Sequence, residues 1–226
     1  MPIDYTKRPK PPPDPGPAGG GVTLTKVSLT KAAPTVSLTK QGSASGTLRV
    51  NLNWNARPPT GGGMFRKSQP GIDLDLACLY EYADGQKGVV QALGGAFRDR
   101  NSYSRDPICR LDGDDRSGSV SQGENLYVDL TRTDAIRRIL VFTFIYEGVP
   151  NWAAANGVVT VHPASGPQIE VLLDDADDRA SMCAIVMIEN TGSDLSVRRE
   201  VRYITGGHRK LDETYGWGMR WEAGSK

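Results

Sequence analysis

Apolar and polar residues alternate along several short stretches of the chain. Residues 48–54 and residues 72–80 both show a period of two. This period places every second side chain on the same face of a strand, so each stretch predicts a β-strand with one face in a core. Asp84-Gly85 then predicts a hairpin turn directly after the second strand.

Six further strands are predicted at short spacings along the rest of the chain, at residues 126–130, 139–146, 158–161, 169–173, 184–188 and 197–204. The run from Ile139 to Tyr146 is almost continuously apolar, which predicts a central strand covered on both faces. A short helix is predicted near Asn151 to Ala155, and the pattern predicts no amphipathic helix longer than two turns. We therefore predict an all-β fold, an antiparallel β-sandwich with short helical segments in its loops.

A five-residue repeat precedes these strands. It reads Val-Thr/Ser-Leu-Thr-Lys at residues 22–26, 27–31 and 36–40. Each copy alternates apolar and polar residues and ends in lysine, and Pro34 stands between the second and third copies. Lysine and proline discourage further pairing, so the repeat predicts edge strands.

Composition divides the chain into three parts. Residues 1–21 hold seven of the fifteen prolines and four glycines, and we predict a disordered tail there. Residues 22–205 form the predicted sandwich. Residues 206–226 combine basic and aromatic residues, and we predict a C-terminal extension that packs on the sandwich.

Charge and cysteine usage limit the class of protein. Lys+Arg is 27 and Asp+Glu is 26, a net charge of +1, which argues against a protein that binds polyanions over its whole surface. The chain contains no apolar run of the ~18 residues that a membrane helix needs, and its start has no apolar signal region. Of the three cysteines, Cys78 and Cys183 lie in apolar strands and Cys109 is predicted in a polar loop. These features predict a cytoplasmic protein without membrane insertion.

Acidic residues form the one group of side chains in the sequence whose spacing suggests a binding site. Asp73 and Asp75 lie two apart in a strand, so they share a face, about 7 Å apart. An acidic loop contains Asp114, Asp115 and Ser117, and Glu124 follows it. Carboxylate-rich loops of this kind suit Ca²⁺, which takes six to eight oxygen ligands. Alternatively, the loop is a solvated turn and both aspartates face water.

The order of several motifs resembles the TerD family of bacterial tellurite-resistance and stress proteins. The motifs are the Val-Ser-Leu-Thr-Lys repeats, Asn51-Leu-Asn-Trp54, Gly71-Ile-Asp-Leu-Asp-Leu-Ala77, Gly113-Asp-Asp-Arg-Ser-Gly118 and Tyr127-Val-Asp-Leu130. The resemblance covers roughly residues 27–205. It implies a calcium-binding β-sandwich with two adjacent cation sites, and the family's ligand set maps here onto Asp73, Asp75, Asp114, Asp115, Ser117 and Glu124.

The chain departs from the family pattern at two places. Asn55 stands where family members usually have aspartate, and Ser121-Gln-Gly-Glu124 replaces a more acidic run. Because calcium affinity follows the number of charged ligands, the resemblance implies one intact site and a second that is weakened or lost.

The resulting hypothesis is a non-enzymatic, cytoplasmic, calcium-binding scaffold for stress response. Its implied partners are other stress-response or tellurite-resistance proteins, including a membrane-associated one. Neither His162 nor His208 has a triad motif around it, and Gly61-Gly-Gly63 is not followed by Gly-Lys, so no catalytic signature is present.

Two other functions stay open. The first is a nucleotide- or nucleic-acid-binding module, which would use the basic and aromatic residues between Arg198 and Trp221. The second is a calcium-dependent hydrolase, since a cation beside carboxylates activates water.

Overall fold

The computed structural model of the protein describes residues 26–55, 72–113, 123–148, 152–173 and 179–222. Within these ranges the chain forms twelve β-strands. They are β1 (Lys26–Ser28), β2 (Thr35–Ser37), β3 (Thr47–Asn53), β4 (Asp73–Tyr82), β5 (Lys87–Val90), β6 (Cys109–Leu111), β7 (Glu124–Asp129), β8 (Ile136–Glu147), β9 (Gly157–His162), β10 (Gln168–Leu173), β11 (Met182–Asn190) and β12 (Leu195–Ile204). The predicted tail at residues 1–21 lies outside the described residues.

The strands form two six-stranded sheets. Sheet A has the order β1-β10-β9-β3-β7-β6, and sheet B has the order β2-β12-β11-β8-β4-β5. Neighbouring strands are antiparallel except for β1 and β10, which are parallel. The predicted all-β sandwich is therefore confirmed, with one parallel pair at an edge.

The main core lies between the two sheets and follows the predicted alternation. Leu48, Val50 and Leu52 of β3 contribute one side, and Leu74 and Leu76 of β4 contribute the other. All five side chains are fully buried. Burial of aliphatic side chains on facing sheets is the main stabilising contribution in such a fold.

Strand β8 is covered on both faces, as its continuous apolar run predicts. Ile139 and Val141 belong to the core between the sheets. Leu140 and Phe142 belong to a second apolar cluster on the outer face of sheet B. The strand lies between β11 and β4, so it is also central within its sheet.

The repeat near the start of the described chain forms sheet edges. β1 is the first strand of sheet A and β2 is the first strand of sheet B. Lys31 and Lys40, which end the second and third copies, are exposed. The prediction of edge strands is confirmed for β1 and β2.

Cys109 contradicts the expectation of a polar loop. It lies in β6, pairs with Val128 of β7, and is fully buried. The strand has only three residues, which is too short for alternation to be recognised between its polar neighbours. Cys78, Cys109 and Cys183 are all buried free thiols.

Two short α-helices accompany the sheets within the described residues, α1 (Trp152–Ala155) and α2 (His208–Tyr215), along with 3₁₀ turns at Leu93–Gly95 and Leu130–Ala135. The helix predicted near Asn151 to Ala155 is confirmed. Helix α2 was not predicted, because its eight residues amount to just over two turns. Neither helix is long and apolar enough to cross a membrane.

The chain after β12 covers the outer face of sheet B. Leu211 of α2 and Trp217 pack against the cluster that contains Leu79, Leu140 and Phe142. Trp217 is 1% exposed, and its indole nitrogen donates to the carbonyl oxygen of Tyr80 at 3.1 Å. This C-terminal segment, residues 206–222, thus forms a third layer on the sandwich.

Candidate metal centre

The first half of β4 has an edge that β5 does not reach. β4 pairs with β8 along its whole length, but β5 pairs only with Cys78 to Glu81. On the edge left by β5, the backbone nitrogen of Leu76 donates to Oε2 of Glu124 at 2.6 Å. Glu124 begins β7 in the opposite sheet, so this carboxylate connects sheet A to the acidic end of sheet B.

Asp73 and Asp75 lie in this same half of β4. Their neighbours Ile72, Leu74 and Leu76 point into the core, so alternation places both aspartates on the other face of the strand. Asp73 is 5% exposed and Asp75 is fully buried. The alternative in which both aspartates face water is therefore wrong. Buried carboxylates are costly unless hydrogen-bond donors or positive charge compensate them.

The ends of the acidic loop are fixed beside these residues. Asp112 accepts hydrogen bonds from the backbone nitrogen of Asn125 at 3.1 Å and from its side-chain amide at 2.8 Å. Gly123 has a φ of 60°, and a Cβ there would lie 2.0 Å from the carbonyl oxygen of Leu52. Only glycine fits, which lets the chain enter β7 next to Glu124.

Three predicted ligands, Asp114, Asp115 and Ser117, lie outside the described residues. The structure therefore brings Glu124 to the β4 strand of Asp73 and Asp75, and places both ends of the loop there. Among the described residues, no three Asp, Glu, His or Cys side chains form a metal-binding group.

The chemistry of the described donors suits a hard cation. Asp73, Asp75 and Glu124 offer only carboxylate oxygens, and all three are buried. Buried oxygen donors fit Ca²⁺ better than zinc, which favours imidazole and thiolate. If Ca²⁺ binds here, these carboxylates would hold it only together with further oxygen ligands from the acidic loop, and the ion would add positive charge to the site.

Sequence patterns did not single out the buried carboxylate of Glu81. Glu81 accepts from Arg137 at 2.8 Å and from Arg138 at 2.6 Å. Although burial raises the pKa of Glu81, the hydrogen bond from Arg138 and the charges of Arg138, Lys87 and Arg137 together lower it more, so the net shift is downward. Alternation alone could place Glu81 on the outer face but could not identify its partners.

Asp99 and Asp212 were also not singled out. Asp99 accepts from the Tyr82 hydroxyl and from the backbone nitrogens of Ile108 and Cys109. Asp212 accepts from the backbone nitrogens of Gly218 and Met219 and from the indole nitrogen of Trp221. Both carboxylates organise loops, a role that depends on neighbours distant in sequence.

A cleft lies between the β4–β5 hairpin and the C-terminal segment. Its volume is about 460 Å³, and its lining includes Lys87, Val89, Met219, Arg220 and Trp221. Of the predicted calcium ligands that the structure describes, neither Asp73 nor Asp75 nor Glu124 lines this cleft. The candidate metal centre and the cleft are therefore separate features of the described structure.

Comparison with known proteins gives a consistent relationship. The chain is 43% identical over 208 residues to tellurium resistance protein TerA from Alcaligenes sp., which covers 91% of this chain and 60% of TerA. The chain thus spans about three fifths of the length of this relative. No family model matches the chain.

Two solved structures share the fold. One is a homologue of telluride resistance protein (TerD) from Streptomyces coelicolor A3(2), with a TM-score of 0.53 and 20% identity over 77% of this chain and 98% of that chain. The other is a protein of unknown function, with a TM-score of 0.52 and 15% identity over 78% of this chain and 99% of that chain. These likenesses concern the fold. The identity to TerA confirms the resemblance found in the sequence: the chain is similar to a tellurium resistance protein and shares the fold of a TerD homologue.

Proposed function

We propose that this chain is a non-enzymatic calcium-binding scaffold that acts in tellurium resistance or a related stress response. The relationship to a tellurium resistance protein supports the biological role. The observation that carries calcium binding is the burial of Asp73, Asp75 and Glu124 where β4 meets β7. Its site of action is the cytoplasm, and its partners are other stress-response proteins, including a membrane-associated one.

Calcium would act on the shape of one end of the sandwich. The acidic loop leaves β6 at Asp112 and returns at Gly123, and both ends adjoin Asn125. An ion held jointly by this loop and β4 would fix the loop against sheet B. A partner could then recognise the ordered loop, so that calcium controls assembly without any catalytic step.

Calorimetric titration of the full chain with CaCl₂ tests this proposal. We expect about one Ca²⁺ per chain, since one ligand set is intact, and a gain of about 2.7 kcal/mol in stability at a hundredfold excess over Kd. Asp73→Asn and Asp75→Asn should each abolish both effects. Asp134→Asn, an exposed acid away from the site, is the matched control and should leave both unchanged.

Two outcomes would contradict the proposal. One is a melting curve that is the same in excess Ca²⁺ and in chelator. The other is calcium binding that survives both aspartate substitutions, because the ion would then occupy a different site.

The C-terminal segment offers less support for the alternative of nucleic-acid binding. Its aromatic residues are engaged within the fold: Trp217 is buried, and the Tyr215 hydroxyl donates to Glu200 at 3.0 Å. Trp221 is tied to Asp212 through its indole nitrogen. Rings held in this way contribute to the third layer of the fold, and we do not propose them as stacking platforms.

A further inference from the structure

One row of residues crosses the outer face of sheet A. Strand pairing places His162 of β9 opposite Arg49 of β3, and Arg49 opposite Tyr127 of β7. Tyr127 lies opposite Arg110 of β6, and the backbone of Arg110 pairs with that of Arg98 in an isolated antiparallel β-bridge. We name these five residues the arginine row. It spans about 19 Å at the usual strand spacing.

The side chains of the arginine row point away from the core. The residues that flank Arg49, Tyr127 and Arg110 in their strands are core residues such as Val50, Val128 and Cys109. Alternation therefore places the row on the outer face. Arg98 and Arg110 are exposed, while Arg49, Tyr127 and His162 are half-buried.

The row concentrates positive charge without internal compensation. Within the described residues, no ion pair is formed by Arg49, Arg98 or Arg110. Like charges placed directly opposite each other, as Arg98 and Arg110 are, destabilise a sheet. The Arg110 guanidinium lies 4.2 Å from the centre of the Tyr127 ring, which keeps it extended across the sheet face.

Acidic residues border the row on both sides. On one side, Asp129 lies two residues beyond Tyr127 in β7 and pairs with Thr47. On the other side, Asp112 lies two residues beyond Arg110, and Glu170, which is paired with Lys26, is on the same outer face in β10. The strip of positive charge is therefore only one residue wide in the direction of the strands. A broad anionic surface such as a membrane would meet the bordering acids, whereas a single chain of phosphates would fit between them.

The geometry points to a binding site for single-stranded nucleic acid along the arginine row. Guanidinium groups pair with phosphates, and tyrosine and arginine planes stack with bases. The length of the row suits a site of about four nucleotides. This site does not include the proposed calcium ligands, so the two proposals can fail independently.

Fluorescence anisotropy with a labelled single-stranded oligonucleotide of about 12 nucleotides tests this site on the full chain. We expect the logarithm of the association constant to fall linearly with the logarithm of the salt concentration. The slope should be about −2, which corresponds to three arginines that contact phosphates of a single strand. Arg98→Glu with Arg110→Glu should weaken binding by at least about tenfold and bring the slope close to zero.

A charge-matched control separates this site from the C-terminal segment. Arg209→Glu with Arg220→Glu changes the net charge equally at two exposed positions, and we expect binding within about twofold of the unsubstituted chain. Melting curves establish that both variants are folded. If the variant with Arg98→Glu and Arg110→Glu does not fold, Arg98→Gln with Arg110→Gln replaces it. The magnitude of its salt slope should be smaller by about 1.4 than that of the unsubstituted chain.

Three results would overturn the inference. The first is no oligonucleotide binding at low salt, about 50 mM. The second is an equal loss in both charge-matched variants. The third is stronger binding to phosphatidylserine vesicles than to the oligonucleotide, which would make the row a membrane-facing surface.

Discussion

Glu124 combines a structural contact and a proposed ligand role in one side chain. Its Oε2 atom accepts from the buried backbone nitrogen of Leu76, a donor that β5 leaves without a strand partner. A buried nitrogen that loses its acceptor costs about 1–3 kcal/mol. The two roles can be separated because an amide oxygen can replace the structural contact but not the charge.

Substitution of Glu124 should therefore give two distinct results. We expect Glu124→Gln to keep the free energy of unfolding within about 1 kcal/mol, because its amide oxygen still accepts from Leu76, while calcium binding is lost. Glu124→Ala should lose both calcium binding and about 1–3 kcal/mol. Urea denaturation in chelator and calorimetric titration measure the two effects, with the exposed Glu189→Ala as control. Equal destabilisation by Gln and Ala would contradict the structural role.

The limits of sequence-based prediction are visible at this scale. Alternation placed Asp73 and Asp75 on one face, and motif order suggested that Glu124 belongs with them. The contact between Glu124 and Leu76 could not be predicted, because it depends on where β5 ends relative to β4. The burial of Asp73 and Asp75 also depends on the packing of distant segments, which a local pattern does not contain.

Elements with a long and regular pattern were predicted, and short or mixed ones were not. β3, β4 and β8 carry seven to twelve residues of clear periodicity or continuous apolarity. β6 has three residues, and α2 has eight residues of mostly polar character. Such elements obtain most of their stability from tertiary contacts, so their local sequence carries little signal.

The C-terminal segment should contribute strongly to stability through Trp217. Its ring packs on the outer face of sheet B, and the Arg138 guanidinium lies 3.9 Å from the ring centre. We expect Trp217→Ala to lower the free energy of unfolding by about 3–5 kcal/mol, measured by guanidinium denaturation. Arg220→Ala, exposed on the same segment, should change it by less than about 0.5 kcal/mol. A loss below about 1 kcal/mol for Trp217→Ala would mean that the segment is not integral to the fold.

At the scale of the whole molecule, the two outer faces of the sandwich differ. The outer face of sheet B is apolar around Leu79, Leu140 and Phe142, and the C-terminal segment covers it. The outer face of sheet A carries polar and charged residues such as Arg49 and Arg110. The arginine row draws residues from positions 49 to 162, so only the strand order of sheet A brings them together. A near-neutral net charge concealed this local concentration of arginines.

The unfolding free energy should also depend on pH through His208, at the start of α2. Its ring contacts Phe144 and Trp221, with centroids 4.9 and 5.1 Å away, and burial lowers its pKa from 6.5 to about 4. Between these pH values the unfolded chain binds a proton that the folded chain does not, so stability should fall as pH decreases from about 6.5 to 4. The expected loss is about 3 kcal/mol.

Urea denaturation across this pH range tests the linkage. His208→Phe keeps an apolar ring in the cluster and should remove most of the slope between pH 6.5 and 4. His162→Gln is the comparison. The pKa of His162 is also lowered, first by burial and then by the charge of Arg49, but this residue lies on the open face of sheet A. We therefore expect the His162→Gln variant to retain most of the dependence of the unfolding free energy on pH. If the slope persisted in His208→Phe and disappeared in His162→Gln, the packing of the C-terminal segment over Phe144 would not be the source of the pH dependence.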